Sequence, residues 1–196
     1  MEIQISVASP DDAAELLEIY APYIRESTDT FETDVPTLGQ FRQRIEQTLE
    51  KYPYIKASSD GKILGYVYAS EFDPRRGVDR RVKTSIYVSR SAHGAGIGRR
   101  LYGAFESALA LQNITVLYAC IAYAEDECEL LTKNSVLFHE KMGYRPVWRF
   151  PKDGYKFDRW FDTLMMEKRI GERTDKSASV KLFPEVRAEF EQLMNE

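Results

Sequence analysis

Two cysteines and two histidines in 196 residues leave little material for metal or disulfide chemistry. Cys120 lies in an apolar run and Cys128 in an acidic segment, which suits reduced thiols better than a disulfide framework. His93 and His139 stand far apart and in no zinc-type spacing with either cysteine, so no metal is expected. No run is long and apolar enough to span a bilayer, and the start MEIQISVASPDD lacks the basic flank and apolar core of a secretory leader. Positive charge is not in excess either. With 27 lysines and arginines against 31 acids the net charge is −4, which speaks against nucleic acid or an anionic membrane as a partner. A cytoplasmic location is the expectation.

The chain is 43% hydrophobic, enough for one sizeable core. Residues 1–169 read as a single domain. Residues 170–196 read as a polar linker and an amphipathic helix with Val186, Phe190 and Leu193 on its apolar face. Ile3, Ile5 and Val7 alternate as in a strand, and Ser9-Pro10-Asp11-Asp12 opens a helix whose buried face would come from Ala14, Leu17, Ile19 and Tyr20. A loop, ESTDTFET, and a helix from Leu38 to Lys51 follow. YIKASSDGKILGYVYAS is a hairpin turning at Asp60-Gly61.

A charged loop, EFDPRRGVDRR, leads into a strand at Val82 to Val88. Leu101, Phe105, Ala108 and Leu109 recur at helical spacing up to Asn113, and ITVLYACI is a buried strand. After the acidic AEDECELLTK comes the helix NSVLFHEKM, with Ser135 as candidate N-cap and Gly143 as its stop. YRPVWRF and WFDTLMMEK form the last two strands, around a loop near Lys152 to Asp158. The plan is a mixed α/β (α+β) sheet flanked by helices.

Gly94, Gly96 and Gly98 lie between the Val82 strand and the next helix, where backbone N–H groups can converge on a phosphate. The spacing is not the dinucleotide fingerprint: the sixth position from Gly94 is Arg99 and from Gly96 is Leu101. Nor does a Gly-Lys pair followed by Ser or Thr supply a Walker loop.

The order strand, Gly-x-Gly loop, helix, strand, NSVLFHEKMGY and two closing strands resembles the GNAT acetyltransferases. Thr30-Phe31-Glu32, Thr84-Ser85-Ile86-Tyr87-Val88-Ser89, Gly96-Ile97-Gly98, Phe138-His139-Glu140-Lys141-Met142-Gly143-Tyr144 and GYKFDRWFDTLMMEK are similar to the phosphinothricin and methionine sulfoximine N-acetyltransferase group. The resemblance covers roughly Ile3 to Lys168. It implies the GNAT fold, acetyl-CoA as co-substrate, and a small-molecule amine, such as an amino acid or amino-acid-like toxin, as acceptor. It also implies that Ile86, Tyr87 and Val88 bind the pantetheine arm and that His93, Gly94, Ala95, Gly96, Ile97, Gly98 and Arg99 receive the pyrophosphate, with Asn134 near the sulfur.

Two departures stand out. His93 occupies a position where the family usually has Gln or Arg. Lys83 stands where the phosphinothricin-type enzymes have a glutamate thought to deprotonate the amine, and Arg80 and Val78 replace the aromatic residues before it. The remaining candidates for proton transfer are His139, Glu32 and Tyr123, with Glu71, Asp79 and Asp162 as further acids and Tyr144 as a second tyrosine. Arg75, Arg76, Arg80, Arg81 and Lys83 would suit an acceptor bearing a carboxylate. The alternatives are an acyl-CoA-binding regulatory module without transfer chemistry and a protein or peptide N-acetyltransferase. A homodimer is a further expectation from the resemblance.

Overall fold

The computed structural model describes residues 2–75, 77, 79–172 and 178–195. Seven strands, β1 (Gln4–Val7), β2 (Tyr54–Ser59), β3 (Lys62–Glu71), β4 (Arg81–Val88), β5 (Val116–Tyr123), β6 (Arg145–Lys156) and β7 (Arg159–Arg169), form one sheet among the described residues. Their order is β1-β2-β3-β4-β5-β7-β6. Pairing is antiparallel except between β4 and β5, which run parallel from Arg81↔Val116 to Thr84↔Ala119. Beyond Thr84 and Ala119 the two strands continue unpaired to each other, so the sheet forks at its centre.

Helices cover both faces. On one, α1 (Ala13–Glu26) and α2 (Leu38–Leu49) bury Leu16, Tyr20, Ile24, Phe41 and Ile45 against Tyr54 and Tyr66. On the other, α3 (Ile97–Leu111), α4 (Asn134–Lys141) and α5 (Phe183–Asn195) enclose the larger core around Leu101, Phe105 and Leu109. The full burial of these side chains supplies the main stabilisation, about 2 kcal/mol for each large apolar group removed from water. α2 begins with a capping box, Thr37 Oγ1 accepting from the Gln40 N–H while Gln40 Oε1 accepts from the Thr37 N–H.

Local differences from the sequence expectations have local causes. A 3₁₀ turn at Pro10–Asp12 precedes α1, and this tighter start rotates the helix so that Ala13 and Leu16, rather than Ala14 and Leu17, are buried. β6 runs on through the segment expected as a loop, because Phe157 and Asp158 both take positive φ (51° and 55°) and close a tight hairpin. The register shifts between Phe150 and Gly154, leaving residues 151–153 as a bulge. Ser135 lies inside α4, where Lys133 holds the cap position.

The tail helix packs on its own domain. Phe183, Val186 and Phe190 are buried with α3, whereas Leu193 is exposed. Gln112 Nε2 donates to the carbonyls of Lys51 and Lys181, both at 2.8 Å, and Asn113 Nδ2 donates to Ser179 O at 2.8 Å. Residues 173–177 of the expected linker, and Arg76 and Val78 of the charged loop, lie outside the described residues. Among the described residues no helix is long and apolar enough to cross a membrane.

Candidate active site

At the fork, β4 carries Ser85 to Val88 with β3 on one side and no strand on the other. Backbone groups on that open edge can bond an extended amide-bearing chain. β4 then passes through a short 3₁₀ turn, Arg90–Ala92, into Gly94 and Gly96, both in the left-handed region (φ 79° and 78°). Gly96 occupies the N-cap of α3 and has no side chain with which to cap it, so the N–H groups of Ile97, Gly98 and Arg99 stay available to an anion at the positive end of the helix dipole. Gly98 is needed for another reason. A Cβ there would lie 2.8 Å from the Phe138 ring, so α3 and α4 approach this closely only through glycine.

His93 and Tyr23 close over the same strand end. The Tyr23 hydroxyl donates to Val88 O at 2.5 Å, and His93 Nε2 lies 3.1 Å from both groups. Tyr23, at the end of α1, is 65 residues away in sequence, and no local pattern connects it to the glycine loop.

Behind the fork, on the α3 side, sits a buried polar chain. His139 Nδ1 donates to Ser135 O at 2.7 Å, which leaves Nε2 to accept from the Tyr102 hydroxyl at 3.0 Å. Tyr102 is 3.2 Å from Thr84 Oγ1, and Thr84 also reaches Tyr118 O (3.3 Å) and the Tyr144 hydroxyl (3.5 Å). Burial holds His139 neutral, its pKa lowered to about 4, and pushes Tyr102 up to about 12. Tyr144 is driven up by burial as well. The chain thus ends at the last β4 residue paired to β5, and it anchors the point where the strands part.

On the opposite face of the sheet is a cavity of about 380 Å³. Tyr87 from β4, Cys120 and Ala122 from β5, Thr163 from β7, Phe150 and Asp153 from β6, and Asp29, Thr30 and Phe31 from the segment after α1 line it. Alternation along β5 explains the division: Cys120 and Ala122 face the cavity, while Ile121 and Tyr123 pack with the large core. Phe31 lies over Gly154 so closely that a Cβ at Gly154 would be 2.2 Å from its ring. Cys120 is exposed at the cavity, yet partial desolvation by its neighbours pushes its thiol up, with Asp153 adding to the rise and Lys83 opposing it, so its thiolate form is suppressed. Both cysteines are free.

The residues proposed from sequence divide between these regions. Ile86, Tyr87 and Val88 line the open edge of β4, and His93 to Arg99 form the loop and first turn of α3. Asn134 is the exposed first residue of α4. His139, Glu32 and Tyr123 are not brought together. His139 is in the buried chain, and the Tyr123 ring carries the Arg149 guanidinium 4.8 Å above it on the α4 side. Glu32 is near the cavity but held by Arg44 Nη1 at 2.8 and 3.1 Å. Glu71 pairs with Lys51, Arg75 with Asp73, and Trp160 is exposed. Asp162 accepts from the Lys152 N–H (2.8 Å) and Arg149 Nε (2.5 Å), which keeps its carboxyl below the usual range.

The acidic segment after β5 folds back rather than projecting. Leu130 O accepts from both the N–H and the hydroxyl of Thr28, and Leu131 packs with Phe161, Ala122 and Phe31. It therefore buttresses the cavity wall. Sequence reasoning missed Asp153, which stands in PKDG, a string that reads as a plain turn.

A forked mixed sheet whose glycine turn leads into an uncapped helix start can hold an anionic group at that helix. The GNAT acetyltransferase domain family matches residues 5–165, and the chain belongs to that family. It is 30% identical over 175 residues to a phosphinothricin N-acetyltransferase of Alcaligenes faecalis, covering 85% of this chain and 82% of that one. It is also 30% identical over 173 residues to a phosphinothricin N-acetyltransferase of Streptomyces coelicolor, covering 86% and 97%. The crystal structure of a phosphinothricin acetyltransferase from Sinorhizobium meliloti in complex with acetyl-CoA superposes with a TM-score of 0.81 at 26% identity, covering 93% of this chain and 99% of that one. The protein is an acyltransferase enzyme of the GNAT type.

Proposed function

We propose that the enzyme transfers acetyl from acetyl-CoA to the amine of a small amino-acid-like acceptor, the two substrates meeting at the fork between β4 and β5. The observation that carries this reading is the parting of β4 and β5 beyond Thr84 and Ala119, directly ahead of an uncapped helix start at Gly96. The open edge of Ser85 to Val88 suits the amides of pantetheine, and the N–H groups of Ile97, Gly98 and Arg99 suit its pyrophosphate. His93 is placed to exchange its bond to Val88 O for one to a phosphate oxygen. Acetyl-CoA supplies an activated thioester, and the β4 N–H groups would polarise its carbonyl. The cavity at Cys120 then receives the acceptor from the other face, and Phe31, Tyr87 and Phe150 give it apolar walls.

His139 is assigned a positioning role through Tyr102 and Thr84, since both its nitrogens are engaged and burial keeps it neutral. Direct transfer in a ternary complex is favoured over an acetyl-Cys120 intermediate, because that thiol's pKa is raised. The reading also takes the protein as cytoplasmic and homodimeric. The exposed Trp148 and Phe150 on edge strand β6 give a dimer an apolar surface.

The test is release of CoA thiol from acetyl-CoA with phosphinothricin, L-methionine sulfoximine, L-methionine and simple primary amines. Saturable turnover with an amino-acid-like amine is the expected result. Binding of acetyl-CoA by calorimetry with no turnover on any amine would favour a regulatory acyl-CoA-binding role instead.

A further inference from the structure

We propose that Asp153, carried into the acceptor cavity by the β6 bulge, is the group that takes the proton from the acceptor ammonium. The proposal rests on the acetyl-transfer reading above and adds to it the proton acceptor. An ammonium has no lone pair, so one proton must leave before nitrogen can attack a thioester.

Among the groups at the cavity, Asp153 is the one placed and left free for this. Asp29 already accepts from Ser27 Oγ at 3.0 Å, and the buried Lys156 faces it from β6 while donating to the carbonyls of Ser27 and Thr30. Glu32 is paired with Arg44, and Asp162 with Arg149 and the Lys152 N–H. Asp153 has no hydrogen-bond or ion-pair partner among the described residues, and neither has Lys83, which stands on β4 next to the strand that carries Cys120.

Its placement is built rather than incidental. Residues 151–153 are the unpaired insert where β6 slips register against β7, and a bulge redirects the side chain that follows it. Lys152 takes a left-handed conformation (φ 50°), and its N–H is tied to Asp162 at 2.8 Å, so the bulge has a defined shape. Gly154 next to it leaves room for Phe31. The strand order β4-β5-β7-β6 puts Lys83 of β4 and Asp153 of the β6 bulge on opposite flanks of Cys120 in β5, and both charges act on that thiol, Asp153 raising its pKa and Lys83 lowering it. An α-amino acid has the matching arrangement, its carboxylate toward Lys83 and its amino group toward Asp153.

The protons balance as follows. The acceptor R–NH₃⁺ gives one proton to the Asp153 carboxylate, which releases it to solvent. The amine lone pair forms the C–N bond, the C–S bond breaks, and a second N–H proton ends on the departing thiolate as CoA thiol. The third stays on the amide nitrogen. No redox partner is required.

Two measurements on the full chain decide it. In the transfer assay, Asp153→Asn is expected to lower kcat at saturating acceptor by roughly 100-fold or more. Acetyl-CoA affinity by calorimetry should be unchanged, and Asp153→Glu should recover part of the rate. A variant whose kcat stays within about threefold of the parent, or whose loss lies only in KM, overturns the assignment. Independently of turnover, iodoacetamide labelling of Cys120 at fixed pH should be several-fold faster in Asp153→Asn and slower in Lys83→Gln, with Cys128 as the internal control. Unchanged Cys120 labelling means that the carboxylate does not face the cavity, and the inference fails. Absence of transfer by the parent protein to every amine would overturn the acetyl-transfer reading, and this inference with it.

Discussion

The two sides of the fork are built in different ways. The side proposed for the cofactor is one continuous stretch, Thr84 to Leu101, whose backbone would supply the binding groups and whose glycines supply the shape. The side proposed for the acceptor is a set of side chains from the segment after α1, from β4 and β5, and from the β6–β7 hairpin. A backbone site tolerates much change of side chain but little change of glycine. A side-chain site can be re-specified one residue at a time, as Lys83 and Asp153 suggest here.

The contrast predicts that damage to the cofactor side appears as lost stability or lost acetyl-CoA affinity, and damage to the acceptor side as altered selectivity. Phe190→Ala should be the most costly change, about 4 kcal/mol in denaturant melts, because this fully buried ring of α5 braces the α3 side of the core. Full stability in that variant would show that the tail helix is dispensable to the cofactor side.

The pH dependence of stability comes next. His139 is buried neutral with its pKa lowered to about 4 from 6.5, so the unfolded chain binds the extra proton first as pH falls. Stability on the order of 3 kcal/mol, present above pH 6.5, should drain away between pH 6.5 and about 4. His139→Gln should flatten that slope in melts across the range, and an unaltered slope would place the acid sensitivity elsewhere.

Gly98→Ala should cost about 2 kcal/mol by pushing α3 from Phe138 and weaken acetyl-CoA binding roughly tenfold by calorimetry. Its effect on the ranking of acceptors should be nil. Gly154→Ala should show the converse at a similar cost, about 2 kcal/mol, since a Cβ 2.2 Å from the tip of the Phe31 ring must displace that ring. Acceptor KM and selectivity should shift while acetyl-CoA affinity holds. If Gly154→Ala weakened acetyl-CoA binding as Gly98→Ala does, the two sides would not be separable in this way.

Most elements were legible because their signals are local. Asp60-Gly61 marks the β2–β3 turn with φ of 50° and 75°, and Gly143 stops α4 with φ 89°. The β6 hairpin was misread because Phe157-Asp158 is an uncommon pair for a turn with both φ positive, and because PKDG resembles a loop. Within the site, the glycine loop was readable and the catalytic geometry was not. His139 matched a family histidine by sequence, yet whether its nitrogens were free depended on Ser135 and Tyr102 folding onto it.

The sequence alone determined the order of strands and helices and the helix start that can hold a phosphate, since hydrophobic period, turn residues and glycine conformation act within a few positions of themselves. Tertiary structure alone decided which acids stay free. Glu32 is held by Arg44, Asp29 faces Lys156, Asp162 holds the bulge, and Asp153 is left in the cavity. A carboxylate's chemistry is set by the charges and donors within a few ångströms of it, and the fold, not the spacing along the chain, chooses those neighbours.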